Sequence, residues 1–196
     1  MAPRRRVPQQ EDNRAHLLGA ALRAFARKGY EGTTIRDIAA EAQVASGLLY
    51  HYFPSKQALL LALFEQSAAL VMQAFADAAG VSDPRARLVA LLAASAQLVR
   101  EHEDFWRLSY GVRFQRGALE QLTSGVEQQS AVWLTLFTAL LGELGRPEPA
   151  LDAHLLFATL DGVFQHYVLD PERYPLDEVI GRIVVQFAGP DASEAS

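Results

Sequence analysis

Residues 33–56 read TTIRDIAAEAQVASGLLYHYFPSK. The segment holds two short helical patterns on either side of a tight turn and ends at a proline. Thr34 offers a hydroxyl to the free N–H groups of the first helix, with Asp37 three residues on as its capping-box partner. Ile35, Ile38, Ala39 and Ala42 make an apolar stripe at helical spacing. Gln43 and Val44 turn the chain. A second helix is predicted over Ala45–Phe53, with Leu49 and Phe53 facing inward. Pro54 ends it, because proline disfavours helical geometry in the residue before it.

Helix, short turn, helix is the pattern in which the second helix enters the major groove of DNA. There it reads base edges near its own N-terminus, while neighbouring groups hold phosphates. The residue types fit that chemistry. Thr33 and Thr34 stand at a helix N-terminus, where free N–H groups and the dipole attract a phosphate, and Arg36 adds a cation. Ala45 opens the reading helix. Ser46 can meet a base edge or a phosphate, Gly47 lets the backbone approach closely, and Leu48 suits a thymine methyl. Tyr50 and His51 are phosphate donors, and Lys56 is a point charge at the start of the next helix. Each also has a plainer reading. Thr34 serves as a helix cap, Tyr52 is taken as a core aromatic, and His51 or Lys56 alone would be a solvated side chain.

Charge is distributed in the sense this reading requires. The 196 residues carry a formal net charge of −5. Residues 1–60 nevertheless hold nine Lys and Arg against five Asp and Glu, and the remainder holds nine against eighteen. A basic head on an acidic body is expected when only the head meets a polyanion. With no cysteine, a disulfide framework, thiolate zinc sites and a Cys nucleophile are excluded, which fits a reducing cytoplasm. The start, MAPRRRVPQQEDNR, is basic without a following apolar run, so no signal peptide is expected. The apolar stretches are interrupted by Gln, Ser, Arg or Glu, so no membrane span is expected.

Nearly every other long segment has helical period, giving an all-α chain of about nine helices. The first is predicted over Asp12–Lys28, capped by Gly29, and Ser55 caps a long helix reaching Ala79. GVSDP, with Asp83 as cap and Pro84 at the first helical position, opens another helix to Arg100. Further helices are predicted at Asp104–Arg116, Ala118–Leu144, Ala150–Val168 and Leu176–Phe187. The organisation expected is a basic disordered arm (1–11), a helix-turn-helix head (12–58), a helical body (59–188) and a disordered tail (189–196).

The head resembles the DNA-binding domain of the TetR family of bacterial transcriptional repressors. Thr34, Ile38, Ala39, Ala42, Val44, Gly47, Tyr50, Tyr52, Phe53, Lys56 and Leu59 fall, without a gap, on that family's signature. Two positions depart from it. Gln43 replaces the usual turn glycine, and a non-glycine residue in a left-handed turn costs roughly 1 kcal/mol. Ala45 replaces the usual capping serine, worth about 1 kcal/mol of helix stability. Ser46 then either caps the helix itself or stays available to a base.

The resemblance implies a body that binds a small molecule and forms a homodimer through its last two helices. Leu151, Leu155 and Val163 on one, and Val179, Ile183 and Phe187 on the other, are the interface residues expected on that ground. A two-fold dimer would hold two reading helices about 34–36 Å apart, or a multiple of that, on a palindromic operator. In FWRLSYGVRFQ (105–115), Trp106, Tyr110 and Phe114 share a helix face. With Trp133, Phe137 and Phe164 they are candidates for a largely apolar effector pocket, with Arg113 and His166 as polar groups. An ordinary helical core explains the same aromatics, and Arg113 has either an anionic ligand or Glu120 as partner. No HExxH, G-x-S-x-G or phosphate-cradling glycine loop is present, and no metal or cofactor is expected. The expected function is a ligand-responsive repressor. A helical enzyme or carrier, an architectural DNA binder and an activator are the alternatives.

Overall fold

The computed structural model describes residues 7–113 and 119–189, and the described residues form α-helices and connecting turns. In chain order the helices are α1 (Val7–Lys28), α2 (Ile35–Glu41), α3 (Ser46–Tyr52), α4 (Lys56–Ala79), α5 (Pro84–Glu101), α6 (Glu103–Val112), α7 (Leu119–Glu143), α8 (Pro149–Leu169) and α9 (Leu176–Ala188). The helix α1 starts five residues before the expected Asp12, because Pro8 is tolerated in a first turn where its missing N–H has no partner to lose. The helix α6 starts one residue before the expected Asp104, and its expected end at Arg116 lies outside the described residues. The predicted caps form. Asp37 N–H donates to the Thr34 hydroxyl and the Asp37 carboxylate accepts from Thr34 N–H, completing the capping box. Ser55 accepts from Ala58 N–H and Asp83 from Ala86 N–H.

Side chains gather into two cores. The head core is built from Leu17, Leu18, Phe25, Ile38, Leu49 and Phe53 of α1–α3 and their flanks, with Leu59, Leu60 and Leu63 from the start of α4. It also takes in Phe105, Leu108 and Val112 from α6. The body core joins Val71 and Phe75 of α4 to α5, α7, α8 and α9. Thus α4 and α6 each contribute to both halves of the molecule; Trp106 of α6 packs against both cores.

By length and composition α4 is apolar enough to cross a membrane, where no such segment was expected. Its apolar residues have another destination: Leu59, Leu60, Ala62 and Leu63 are buried in the head and Val71, Phe75 and Ala78 in the body. A helix buried against both halves is apolar on several sides. Leu70, between the two buried stretches, is 38% exposed.

The expected dimer residues divide. Leu151 and Leu155 of α8 are 62% and 51% exposed, without a partner inside the protomer core. Val163, Ile183 and Phe187 are buried in the body core, and Val179 is half-buried against it. These four hold α8 and α9 to their own protomer. The apolar circumference of α8 covered two different surfaces, which sequence periodicity alone does not separate.

Candidate DNA-binding surface and effector cavity

The helix α3 is held on the head by Leu49 and Phe53, both buried. Its opposite face carries Ala45, Gly47, Leu48, Tyr50 and His51, all exposed, with Ser46 half-buried beside them. Tyr50 is 53% exposed, whereas the Tyr52 hydroxyl accepts from Asn13 Nδ2 at 3.3 Å and anchors α3 to α1. Gln43 takes φ = +55°, the left-handed conformation its place in the turn requires. Ala45 is the N-cap residue of α3 and makes no side-chain cap bond. Ser46 is already the first helical residue, so its hydroxyl is not spent on capping.

Thr34 and Arg36 are exposed at the start of α2. Thr33 is not: it is 1% exposed, and its hydroxyl donates to the Ala24 and Gly29 carbonyls at 3.2 and 2.7 Å. The assignment of Thr33 to a phosphate is therefore corrected. It ties the α1–α2 turn to the end of α1, where the Gly29 carbonyl, beyond the helix, gains a donor. Lys56 is half-buried and donates to the Tyr30 carbonyl at 2.9 Å.

The head's positive charge is not uniformly available. Arg23 and Arg27 both pair with Glu41, and Lys28 pairs with Asp37. These hydrogen bonds hold the Glu41 and Asp37 carboxyls below their ordinary range, Asp37 chiefly through Lys28 and Thr34. Arg36 is exposed at the start of α2, and Arg14 stands with its guanidinium 5.2 Å from the Phe53 ring centroid. Arg14 thus sits at the C-terminal end of α3, a placement sequence spacing did not show because α1 and α3 meet only in the folded head. His16 Nε2 lies 2.9 Å from the Ala42 carbonyl, just before the turn.

A cavity of about 90 Å³ lies in the body among α4, α5, α6, α7 and α8. Its walls include Trp106 and Tyr110 of α6, Trp133 and Phe137 of α7, and Phe157 and Phe164 of α8. Trp133 stands edge-on to Phe75 at 4.0 Å, and Trp106 lies 6.2 Å from Phe164. Ser67, Ser95, Ser109 and Ser130 supply hydroxyls to the lining. Arg113 donates to the Asp161 carboxylate at 2.7 Å, which decides its partner among the described residues. The Tyr110 hydroxyl donates to the Asp161 carbonyl at 3.2 Å, and burial, aided by the Asp161 charge, raises the phenol above its ordinary value. It stays a neutral donor at physiological pH.

Five of the predicted pocket aromatics and Arg113 therefore converge. Phe114 lies outside the described residues. His166 does not reach the cavity: it is exposed and stacks on Tyr174, with ring planes 8° apart. Two residues after Phe164, it projects from nearly the opposite side of α8. Asp161 takes the polar role instead. The signal was present, since Phe157, Asp161 and Phe164 recur at four and three residues. Among the described residues no group of three His, Asp or Glu side chains is placed to hold a metal ion.

The model of the bacterial regulatory proteins of the tetR family matches residues 17–63. The HTH-type transcriptional repressor KstR2 of Mycobacterium tuberculosis is 31% identical over 154 residues, a match covering 76% of each chain. The chain belongs to the TetR family. By that membership it is a helix-turn-helix regulator of transcription. An uncharacterised HTH-type regulator of Bacillus subtilis, YuxN, is 29% identical over 155 residues, which is 78% of this chain but about half (52%) of YuxN. Among solved structures, AibR in complex with isovaleryl coenzyme A and operator DNA superposes with a TM-score of 0.76 at 18% identity, covering 91% of this chain and 100% of that one. At that identity the likeness speaks for the TetR fold alone.

Proposed function

We propose that this TetR-family chain is a cytoplasmic repressor that binds a palindromic operator as a homodimer and leaves it when an effector fills the α4–α8 cavity. The reading helix is α3, with Ser46, Gly47, Leu48 and Tyr50 toward the bases. Thr34, Arg36, His51, Lys56 and Arg14 face the phosphates. The dimer forms through α8 and α9, where Leu151, Leu155 and Val185 are exposed and apolar.

The observation that carries the reading is the double allegiance of α6. One face places Phe105, Leu108 and Val112 in the head core, and Trp106, Tyr110 and Ser109 line the body cavity. A ligand that moves α6 to make room for itself moves part of the head's own core. The helix α4 is the second link, shared between the two cores in the same way. The effector must favour one head orientation over the other, since equal affinity for both states shifts nothing. AibR, named with isovaleryl coenzyme A, supports an effector that presents an apolar body to the cavity.

The test is selection of random duplex DNA by the purified protein at near-physiological salt, followed by sequencing. A recovered palindrome supports dimeric, sequence-specific reading. Salt-sensitive binding with no motif would replace it with architectural binding.

A further inference from the structure

The cavity is walled by aromatic rings, yet among the described residues it contains one charge of each sign, and the two are bonded to one another. Arg113, just after α6, reaches Asp161 on α8 at 2.7 Å. The pair is about a third exposed on each side chain, so it forms one polar end of the cavity, not its deep wall. The guanidinium also lies 4.8 Å from the Tyr110 ring centroid. We infer that Asp161 is a specificity-determining residue that makes this site select an effector whose cavity-facing group is uncharged, such as an ester, thioester, ketone or alcohol, over a carboxylate or an ammonium. The inference rests on the reading of this cavity as the effector site.

The argument is one of charge balance. A carboxylate entering to use Arg113 meets the Asp161 carboxylate beside the same guanidinium. It must either accept that repulsion or displace Asp161, leaving a carboxylate without its counter-charge. An ammonium seeking Asp161 meets Arg113 in the mirror situation. A neutral carbonyl or hydroxyl oxygen can accept from a guanidinium, which has five N–H donors, while the ion pair stays closed. The aromatic walls sharpen the choice against a carboxylate, since ring faces give an anion no compensation for its lost hydration; an ammonium gains a cation–π attraction there, which the repulsion from Arg113 has to outweigh. Without Asp161, Arg113 would be the one charge among the described lining residues, and the cavity would be built for anions.

Both tryptophans of the chain, Trp106 and Trp133, line the cavity, so intrinsic fluorescence reports its occupancy. The experiment titrates the full chain with four probes of one chain length: methyl decanoate, 1-decanol, decanoate and decyltrimethylammonium. The expected result is that the ester and the alcohol bind about tenfold or more tighter than either ion, the scale of a charged hydrogen bond. In Asp161→Asn, whose fold is checked by circular dichroism, decanoate should gain about tenfold relative to the ester as Arg113 loses its counter-charge. Decanoate or the ammonium probe binding the natural chain as tightly as the ester would overturn the inference while leaving the cavity as an effector site. An unchanged decanoate-to-ester ratio in a folded Asp161→Asn would overturn the role of Asp161. No fluorescence response to any probe would overturn the effector-site reading together with this one.

Discussion

Lys56 Nζ lies 4.4 Å from the centroid of the Tyr30 ring and donates to the Tyr30 carbonyl at 2.9 Å, pinning the first turn of α4 to the α1–α2 turn. The lysine that the sequence marks as a phosphate contact is thus also a positioning group inside the head. The side chain is half-buried, so its ammonium is held in a fixed place. Lys56→Ala is expected to destabilise the head by about 1 kcal/mol through lost cation–π and hydrogen-bond contacts. It should also weaken all duplex sequences about equally and lower the salt slope by roughly one unit. Thermal melts and salt-dependent binding on the same sample separate the two roles: a lowered melting temperature with an unchanged salt slope would leave Lys56 as a positioning group only.

Gln43 sits at φ = +55° in the turn that aims α3. A side chain there costs about 1 kcal/mol relative to glycine, offset in part by the greater freedom glycine has when unfolded. Gln43→Gly is therefore expected to stabilise the chain by about 0.5 kcal/mol, and Gln43→Val, β-branched, to destabilise it by more than that. Urea titration of both variants checks the order. A Gln43→Val variant as stable as the natural chain would mean that the turn relaxes out of the left-handed region.

The head was legible in the sequence because its information is local. A cap, an apolar stripe, a turn and a proline stop lie within two dozen residues, and each acts on near neighbours. What escaped was what the fold brings together from afar. The hydroxyl of Thr33 turns inward to Ala24 and Gly29, although Thr33 and Thr34 look alike as adjacent threonines at a helix start. Arg14 meets Phe53 across 39 positions of chain. In the body the aromatic spacing marked the cavity walls, but α8 is apolar nearly all round. Periodicity could not say that Leu155 faces outward while Val163 faces the protomer's own core. The Arg113 partner, Asp161, likewise lies 48 residues away.

The acid response of the head has a definite sign. The Asp37 carboxyl is held well below its ordinary value by hydrogen bonds from Lys28 and Thr34. A depressed folded pKa stabilises the head fully above the unfolded value, near pH 4, and that stability is lost as pH falls toward the folded value. The natural chain should therefore lose melting temperature below roughly pH 4 more steeply than Asp37→Asn, which has no carboxyl to protonate. At neutral pH the natural chain is the more stable of the two, since Asp37→Asn lacks the Lys28 ion pair, and the two curves converge as pH falls. Melting temperature against pH for the two chains provides the test. Parallel curves would show that Asp37 contributes nothing to acid sensitivity.

Leu151 and Leu155 project from one face of α8, with Ala158 and Gly162 continuing the stripe at helical spacing and Val185 exposed on α9. Small residues along such a stripe let a second helix pair approach closely, which suits a two-fold interface. Because Leu155 is exposed in the protomer, Leu155→Glu should leave the fold intact and remove the dimer. Ile183, 3% exposed, is the contrast. Ile183→Ala should cost about 2–5 kcal/mol of protomer stability, as large-to-small changes in a core do. Losing the dimer also loses the coupled binding of two half-sites, so operator affinity should fall by roughly 10²–10⁴-fold in Leu155→Glu. Sedimentation combined with operator titration decides the matter. A Leu155→Glu chain that sediments as a dimer would move the interface off this face of α8, whereas a monomer with undiminished operator affinity would end the case for a two-headed reader.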